Sequence, residues 1–254
     1  MDSSGRRLIV WTGATSGVGR LAVEHVLRGC VPVTAADGHH NYFHYSRHRR
    51  RSSSSSSIST TSTCSAGVHI ILLVRDCLSD HAVAAIGRFR HLAAAAAAAA
   101  AATATVVIEP IECDLSSFAA VRKFATAVIS MHGRVHTLVL GANISTWGQP
   151  TFTDSDKCEL GLQVNHFSSW LLTALLAPVI TGRVVFVSSV LYKTADLTAI
   201  TLKACRKSGN AAACKWQSFS GVSFAATKAV QAFCMSQWVE WFRPRGVDVI
   251  MCTP

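Results

Sequence analysis

Cysteine pairs at metal or redox spacing are missing from this chain. It carries nine cysteines, an odd number, yet no C-x-x-C, and its closest two are Cys205 and Cys214. That argues against a zinc ribbon and against a disulfide framework. The thiols read as mostly buried and reduced, the state expected inside a cell. Acidic residues are scarce as well: 14 Asp and Glu stand against 24 Lys and Arg, for a formal charge of +10. A basic chain attracts nucleic acid, anionic membrane or a phosphorylated cofactor. No basic helix face with interleaved aromatics occurs, so the charge reads first as a solvated surface. Long apolar runs are also lacking. MDSSGRRLIVWTG holds no signal-length apolar stretch before Gly13. Trp170–Ile180 is too short to span a bilayer and is followed by Gly182-Arg183. The expectation is a soluble protein of the cytoplasm or another intracellular compartment, with no transmembrane segment.

Half of the 254 residues are hydrophobic, enough for one sizeable core. Two segments stand apart from the rest. Residues 33–66 hold HHNYFHYSRHRRR and then Ser52–Ser57. They cannot bury enough apolar surface to order themselves, so they read as a disordered, low-complexity insertion. Such an insertion is tolerated because loop-closure entropy grows slowly with length. A metal- or RNA-binding tract using His39, His40, His44, His48 and Arg49–Arg51 is the other reading. No metal site is assigned elsewhere. The alanine run, residues 92–104, reads as the extension of a helix that starts near Asp80.

The remainder alternates. Strands are expected at Leu8–Trp11, His69–Val74, Val106–Glu112, Val135–Leu140, Arg183–Ser188 and Val247–Met251. Helices are expected at Leu21–Arg28, Asp80–Ala102, Phe118–Met131, over most of Lys157–Ile180, and at Phe224–Arg243. Short apolar runs alternating with helices imply parallel strands joined by crossovers. The fold class is therefore α/β, a Rossmann-type doubly wound parallel sheet, with residues 1–254 read as one nucleotide-binding domain.

Thr12-Gly13-Ala14-Thr15-Ser16-Gly17-Val18-Gly19 follows the first strand and opens the first helix. Glycines permit a tight turn and close backbone approach, and a helix N-terminus offers free N–H groups to a phosphate. The spacing T-G-x-x-x-G-x-G resembles the turn of the short-chain dehydrogenase/reductase family. Further segments carry the resemblance in family order. They are Cys113-Asp114-Leu115-Ser116, Gly141-Ala142-Asn143, Gln163-Val164-Asn165-His166, Val185-Phe186-Val187-Ser188-Ser189, Phe224-Ala225-Ala226-Thr227-Lys228, and Arg245-Gly246-Val247 through Pro254. Lys215-Trp216, together with the run from Gly182 to Ser189, resembles the retinol dehydrogenases and WW-domain-containing oxidoreductases.

The resemblance implies a hydride transfer between a nicotinamide cofactor and an apolar carbonyl or alcohol. It implies cofactor contacts at Gly13, Thr15, Ser16, Gly17, Val18, Gly19, Asp114, Leu115, Gly141, Ala142, Asn143 and Lys228. It implies catalytic roles for Ser189, which orients the substrate oxygen, Lys228, which binds ribose and tunes a phenol, and Asn165, which supports a water relay. After the second strand, Val74 offers no carboxylate to ribose hydroxyls, whereas Arg75 can grip a 2′-phosphate or remain a solvated loop residue. NADP is thus expected before NAD.

Three departures qualify these expectations. Phe224 stands where the family has the proton-transferring tyrosine, and Tyr192 is a distant substitute. Asn143 stands where glycine would leave room. After Pro254 the family continues to a last strand, whose lack would leave the sheet edge beside Val247–Met251 open, with an association liability that admits a homodimer. The expected function is an NADP-dependent oxidoreductase impaired at Phe224. A catalytically inactive nucleotide-binding or scaffold protein is the alternative, and nucleic-acid binding through the insertion ranks third.

Overall fold

The computed structural model describes residues 5–29, 67–99, 105–145, 151–195 and 224–254. The 33–66 insertion, the end of the alanine run and Lys215-Trp216 lie outside the described residues. Within them the chain runs β1 (Arg7–Thr12), α1 (Gly17–Gly29), β2 (Val68–Val74), α2 (Asp80–Ala99), β3 (Val106–Glu112), α3 (Phe118–His132), β4 (Val135–Leu140), α4 (Leu160–Leu162), a π turn (Gln163–Phe167), α5 (Ser168–Leu176), β5 (Ile180–Val187), a 3-10 turn (Val190–Thr194), α6 (Phe224–Phe242), a 3-10 turn (Arg243–Arg245) and β6 (Asp248–Cys252). The strands pair in parallel in the order β3-β2-β1-β4-β5-β6. The chain winds outward from β1 to β3 and restarts at β4 on the other side of β1. A crevice opens at the carboxyl ends of β1 and β4, where the winding reverses.

Period-two packing builds two layers. Ile71 and Leu73 of β2 pack with Val121, Phe124 and Val128 of α3, whereas Ile70, Leu72 and Val74 pack with Val23 and Leu27 of α1 and Phe89 of α2. β2 is buried along its whole length, as the run VHIILLV requires of a strand covered on both faces. α1 and α2 are joined by the buried carboxylate of Glu24, which receives Arg20 at 2.8 Å and Arg88 at 2.9 Å. A buried charge of this kind persists only when paired. Ala93 and Ala96 belong to the buried face of α2, so the start of the alanine run serves as packing surface.

The helix expected over most of Lys157–Ile180 is present from Leu160 to Leu176, with the π turn inside it. Two expectations need correction. β5 begins at Ile180, three residues before the expected Arg183, and its register against β4 shifts between Val135 and Thr137. Gly182 permits that irregularity: a Cβ there would lie 2.6 Å from the carbonyl oxygen of His136. The described thiols are not mostly buried. Of the five described, all free, Cys113 and Cys158 are buried, Cys77 and Cys234 are half-buried, and Cys252 is exposed. Burial pushes the Cys113 thiol up to about 12, which keeps it protonated at neutral pH. Among the described residues no helix is long and apolar enough to cross a membrane.

Candidate functional site

β1 ends at Thr12, and the chain turns through Gly13–Ser16 before α1 opens at Gly17. Gly13 has φ +71°, and a Cβ on it would lie 2.5 Å from the backbone nitrogen of Ala142. A Cβ on Gly19 would run into the carbonyl oxygen of Gly13. These two glycines let the turn press against the end of β4 and against itself. Gly17, with φ +49°, has nothing within 4 Å of where its Cβ would stand, so it leaves open space beside the first turn of α1. Thr12 fastens the assembly: its Oγ1 accepts from the N–H groups of Gly141 and Ala142, both at 3.1 Å. The motif alone assigns Thr12 no such role.

A cavity of about 2310 Å³ starts at this turn. Gly13, Thr15, Ser16, Gly17, Val18 and Gly19 line it, as do Arg75, Asp114 and Leu115. Gly141, Ala142, Asn143, Ser188, Ser189 and Phe224 line it too. It continues along the sheet face that carries Ile9, Val139, Val185 and Ile250. Unpaired N–H groups of the first turn of α1 and the space at Gly17 suit a phosphate. Arg75 is exposed one residue past β2. Asp114 holds its own loop, accepting from the Ser116 N–H at 2.8 Å and from the Ser116 hydroxyl at 2.7 Å. Gln163 donates to the Ser116 carbonyl at 2.9 Å, and Ser168 donates to the Leu115 carbonyl, so the π turn and α5 position that loop. Asn143 folds back, its Nδ2 donating to the Gly141 carbonyl at 3.0 Å. Its Oδ1 is buried without a partner among the described residues.

Two expected catalytic residues do not line the cavity. Asn165 is buried, and its side chain is fully occupied. Oδ1 accepts from the Ile144 N–H at 2.8 Å, while Nδ2 donates to the Ile144 carbonyl at 2.8 Å and to Thr227 Oγ1 at 3.1 Å. Thr227 Oγ1 in turn donates to the Phe224 carbonyl at 2.8 Å. Asn165 and Thr227 thus splice the chain after β4 to the start of α6. Lys228 is fully buried, and its Nζ donates to the Val187 carbonyl at 2.6 Å and to Gln231 Oε1 at 3.3 Å. The same Nζ lies 5.5 Å from the centroid of the Phe224 ring. Ser189 lines the cavity, and its Oγ accepts from the Leu191 N–H at 3.4 Å. Ser188, overlooked in the sequence, also lines it, with a buried Oγ that has no partner among the described residues. The doubled serine was the only available signal. Tyr192 is not among the lining residues.

Burial lowers the Lys228 pKa from its ordinary 10.5 to about 7, opposed in part by Cys252. The unfolded chain holds this proton up to about pH 10.5, whereas the folded chain releases it near 7. Between these values unfolding takes up a proton, so the Lys228 contribution to stability rises with pH. The Tm of the wild type is expected to rise from pH 6.5 to about 7.5, below the range where the cysteines of the unfolded chain titrate. Lys228→Met removes that rise and melts higher than wild type at the acid end. Parallel melting curves against pH check this, and an unchanged slope in Lys228→Met would refute it.

A family model for the short chain dehydrogenases matches residues 73–199. The bovine dehydrogenase/reductase SDR family member 13 is 40% identical over 88 residues, which is 33% of this chain and 22% of the relative. Its human counterpart is 41% identical over 80 residues, 30% of this chain and 20% of the relative. The match therefore spans about a fifth of these curated relatives. Among solved structures, a metagenomic short-chain oxidoreductase in complex with NADP superimposes with TM-score 0.57 at 22% identity, covering 99% of this chain and 83% of that one. A bulky-bulky ketone specific alcohol dehydrogenase from Comamonas testosteroni gives TM-score 0.58 at 16% identity, covering 98% and 72%. An NADH-dependent reductase complexed with NAD also gives 0.58, at 12% identity with 98% and 78% coverage. At these identities the likeness concerns the fold, and the fold is compatible with either cofactor.

Proposed function

The chain belongs to the short-chain dehydrogenase family, and from that premise we propose that it is an NADP-binding carbonyl or alcohol oxidoreductase whose proton transfer is impaired by Phe224. The turn from Gly13 to Gly19 would hold the pyrophosphate, with Arg75 at a 2′-phosphate, Asp114 and Leu115 at the adenine, and Gly141–Asn143 along the middle of the cofactor. A bound nicotinamide would supply or accept the hydride. Ser189, and Ser188 behind it, would orient the substrate oxygen. The observation that carries the impairment is the position of Phe224, a ring without an ionisable group between the cavity and Lys228. A retinol dehydrogenase-like subgroup with an apolar substrate remains part of this reading.

Arg75 decides the cofactor. It presents a guanidinium at the cavity, and charge-assisted hydrogen bonds are worth about 1.5–3 kcal/mol. Arg75→Ala is expected to weaken NADPH binding at least roughly tenfold while leaving NADH within about twofold. Fluorescence titration with both cofactors measures this, and an equal loss for both would sink the assignment.

The alternative, a nucleotide-binding protein without turnover, draws on the burial of Lys228 against the Val187 carbonyl. It predicts saturable NADPH binding with no consumption across a broad panel of ketones and aldehydes.

A further inference from the structure

We propose that His69, Glu109 and His132 form a binding site for a zinc-like divalent transition-metal ion, apart from the nucleotide cavity. None of the three lines that cavity. β2 and β3 pair with Ile71 opposite Glu109 and His69 opposite Val107. Strand alternation puts His69, Ile71 and Glu109 on one face, the face that Ile71 shares with α3. His132 is the last residue of α3 and comes down beside them. His69 Nε2 lies 2.7 Å from Glu109 Oε2, and His132 Nε2 lies 3.5 Å from the same oxygen. One ligand atom from each residue falls within 4.8 Å of the other two. The imidazoles meet edge to face, with centroids 5.1 Å apart.

Two imidazoles and one carboxylate are a donor set that zinc and its neighbours favour. Bonds of about 2.0–2.2 Å in tetrahedral geometry separate adjacent ligand atoms by about 3.3 Å. The His132–Glu109 separation is already near that value. The His69–Glu109 pair must open by about half an ångström, and the Glu109 side chain, at 32% exposure, has room to turn. The histidine side chains are 7% and 12% exposed, so the site is closed on the protein side and open at Glu109, where water completes the coordination. Bound there, an ion ties the edge strand β3 and the end of α3 to β2. The competing outcome is a metal-free hydrogen-bonded cluster of the same three groups.

The test uses the full chain, stripped with chelator and titrated with Zn²⁺ against a chromophoric competitor, and with Co²⁺ followed by visible absorption. One equivalent is expected to bind. Glu109→Gln keeps shape and polarity but removes the anionic ligand, and His132→Ala removes an imidazole. Each is expected to weaken binding at least about tenfold, since even partners outside the ligand set contribute 10–100-fold. Each also alters the Co²⁺ bands. A chain with His39, His40, His44 and His48 replaced by Asn is expected to bind as wild type does. Unchanged affinity in both Glu109→Gln and His132→Ala overturns the proposal, as does loss of binding in the four-histidine variant.

Discussion

Phe224→Tyr is expected to raise turnover of carbonyl substrates with NADPH by about 10²- to 10⁴-fold, the range that a positioned proton donor contributes. Phe224 already lines the cavity together with Ser188 and Ser189, so the added hydroxyl enters a preformed wall. Behind it, Lys228 Nζ stands 5.5 Å from the ring centroid. At present burial lowers the pKa of that amine, with no phenol for it to tune. A tyrosine changes both partners: the ammonium favours the phenolate, and the phenolate favours the ammonium. The gain should therefore grow with pH as the phenol ionises for alcohol oxidation, and fall with pH for carbonyl reduction. Initial rates in both directions from pH 6 to 9 measure this. NADPH affinity should stay within about threefold, because uniform binding is not what the substitution changes. Intact binding with no gain in turnover on any substrate would remove the catalytic reading and leave nucleotide binding alone.

Gly13→Ala is expected to destabilise the fold severely. Left-handed backbone costs a residue with a Cβ about 1–2 kcal/mol. The new Cβ would also stand 2.5 Å from the Ala142 nitrogen, so the turn must leave the end of β4 and break the two bonds to Thr12 Oγ1. A total near 3–4 kcal/mol is a large part of a typical domain's stability. At about 2–4 °C per kcal/mol, Tm should fall by roughly 6–15 °C. Gly17→Ala separates the two effects. Its Cβ meets nothing within 4 Å, so only the left-handed backbone opposes it, at about 1 kcal/mol. The fold should persist while NADPH binding weakens, because the methyl fills space beside the first turn of α1. Melting curves and NADPH titrations of both variants test the distinction. A Gly13→Ala protein melting within about 2 °C of wild type would show that the turn is not packed as described.

The same contrast runs through the molecule. The element pattern was readable because it is local. The runs VHIILLV and VHTLVL announce buried strands by composition, and FAAVRKFATAVISMH shows apolar residues at helical spacing. The glycine turn was readable because strand, turn and helix adjoin in sequence. Where a tertiary neighbour decides the outcome, the local pattern is silent. The early start of β5 depends on Gly182 meeting His136, and the burial of each described thiol depends on what packs against it.

By itself, then, the sequence determined the order of strands and helices, the glycine turn at Gly13–Gly19, and the absence of a phenol at position 224. These follow from side-chain period and residue identity, which need no partner. Tertiary structure alone decided that Lys228 points to the Val187 carbonyl, that Asn165 binds Ile144 and Thr227, and that Ser188 lies beside Ser189 at the cavity. It alone joined His69 to Glu109, 40 residues away, and to His132. The reason is physical: hydrogen-bond partners and ligand clusters depend on sheet register and helix packing, which bring together residues that sequence separation keeps apart.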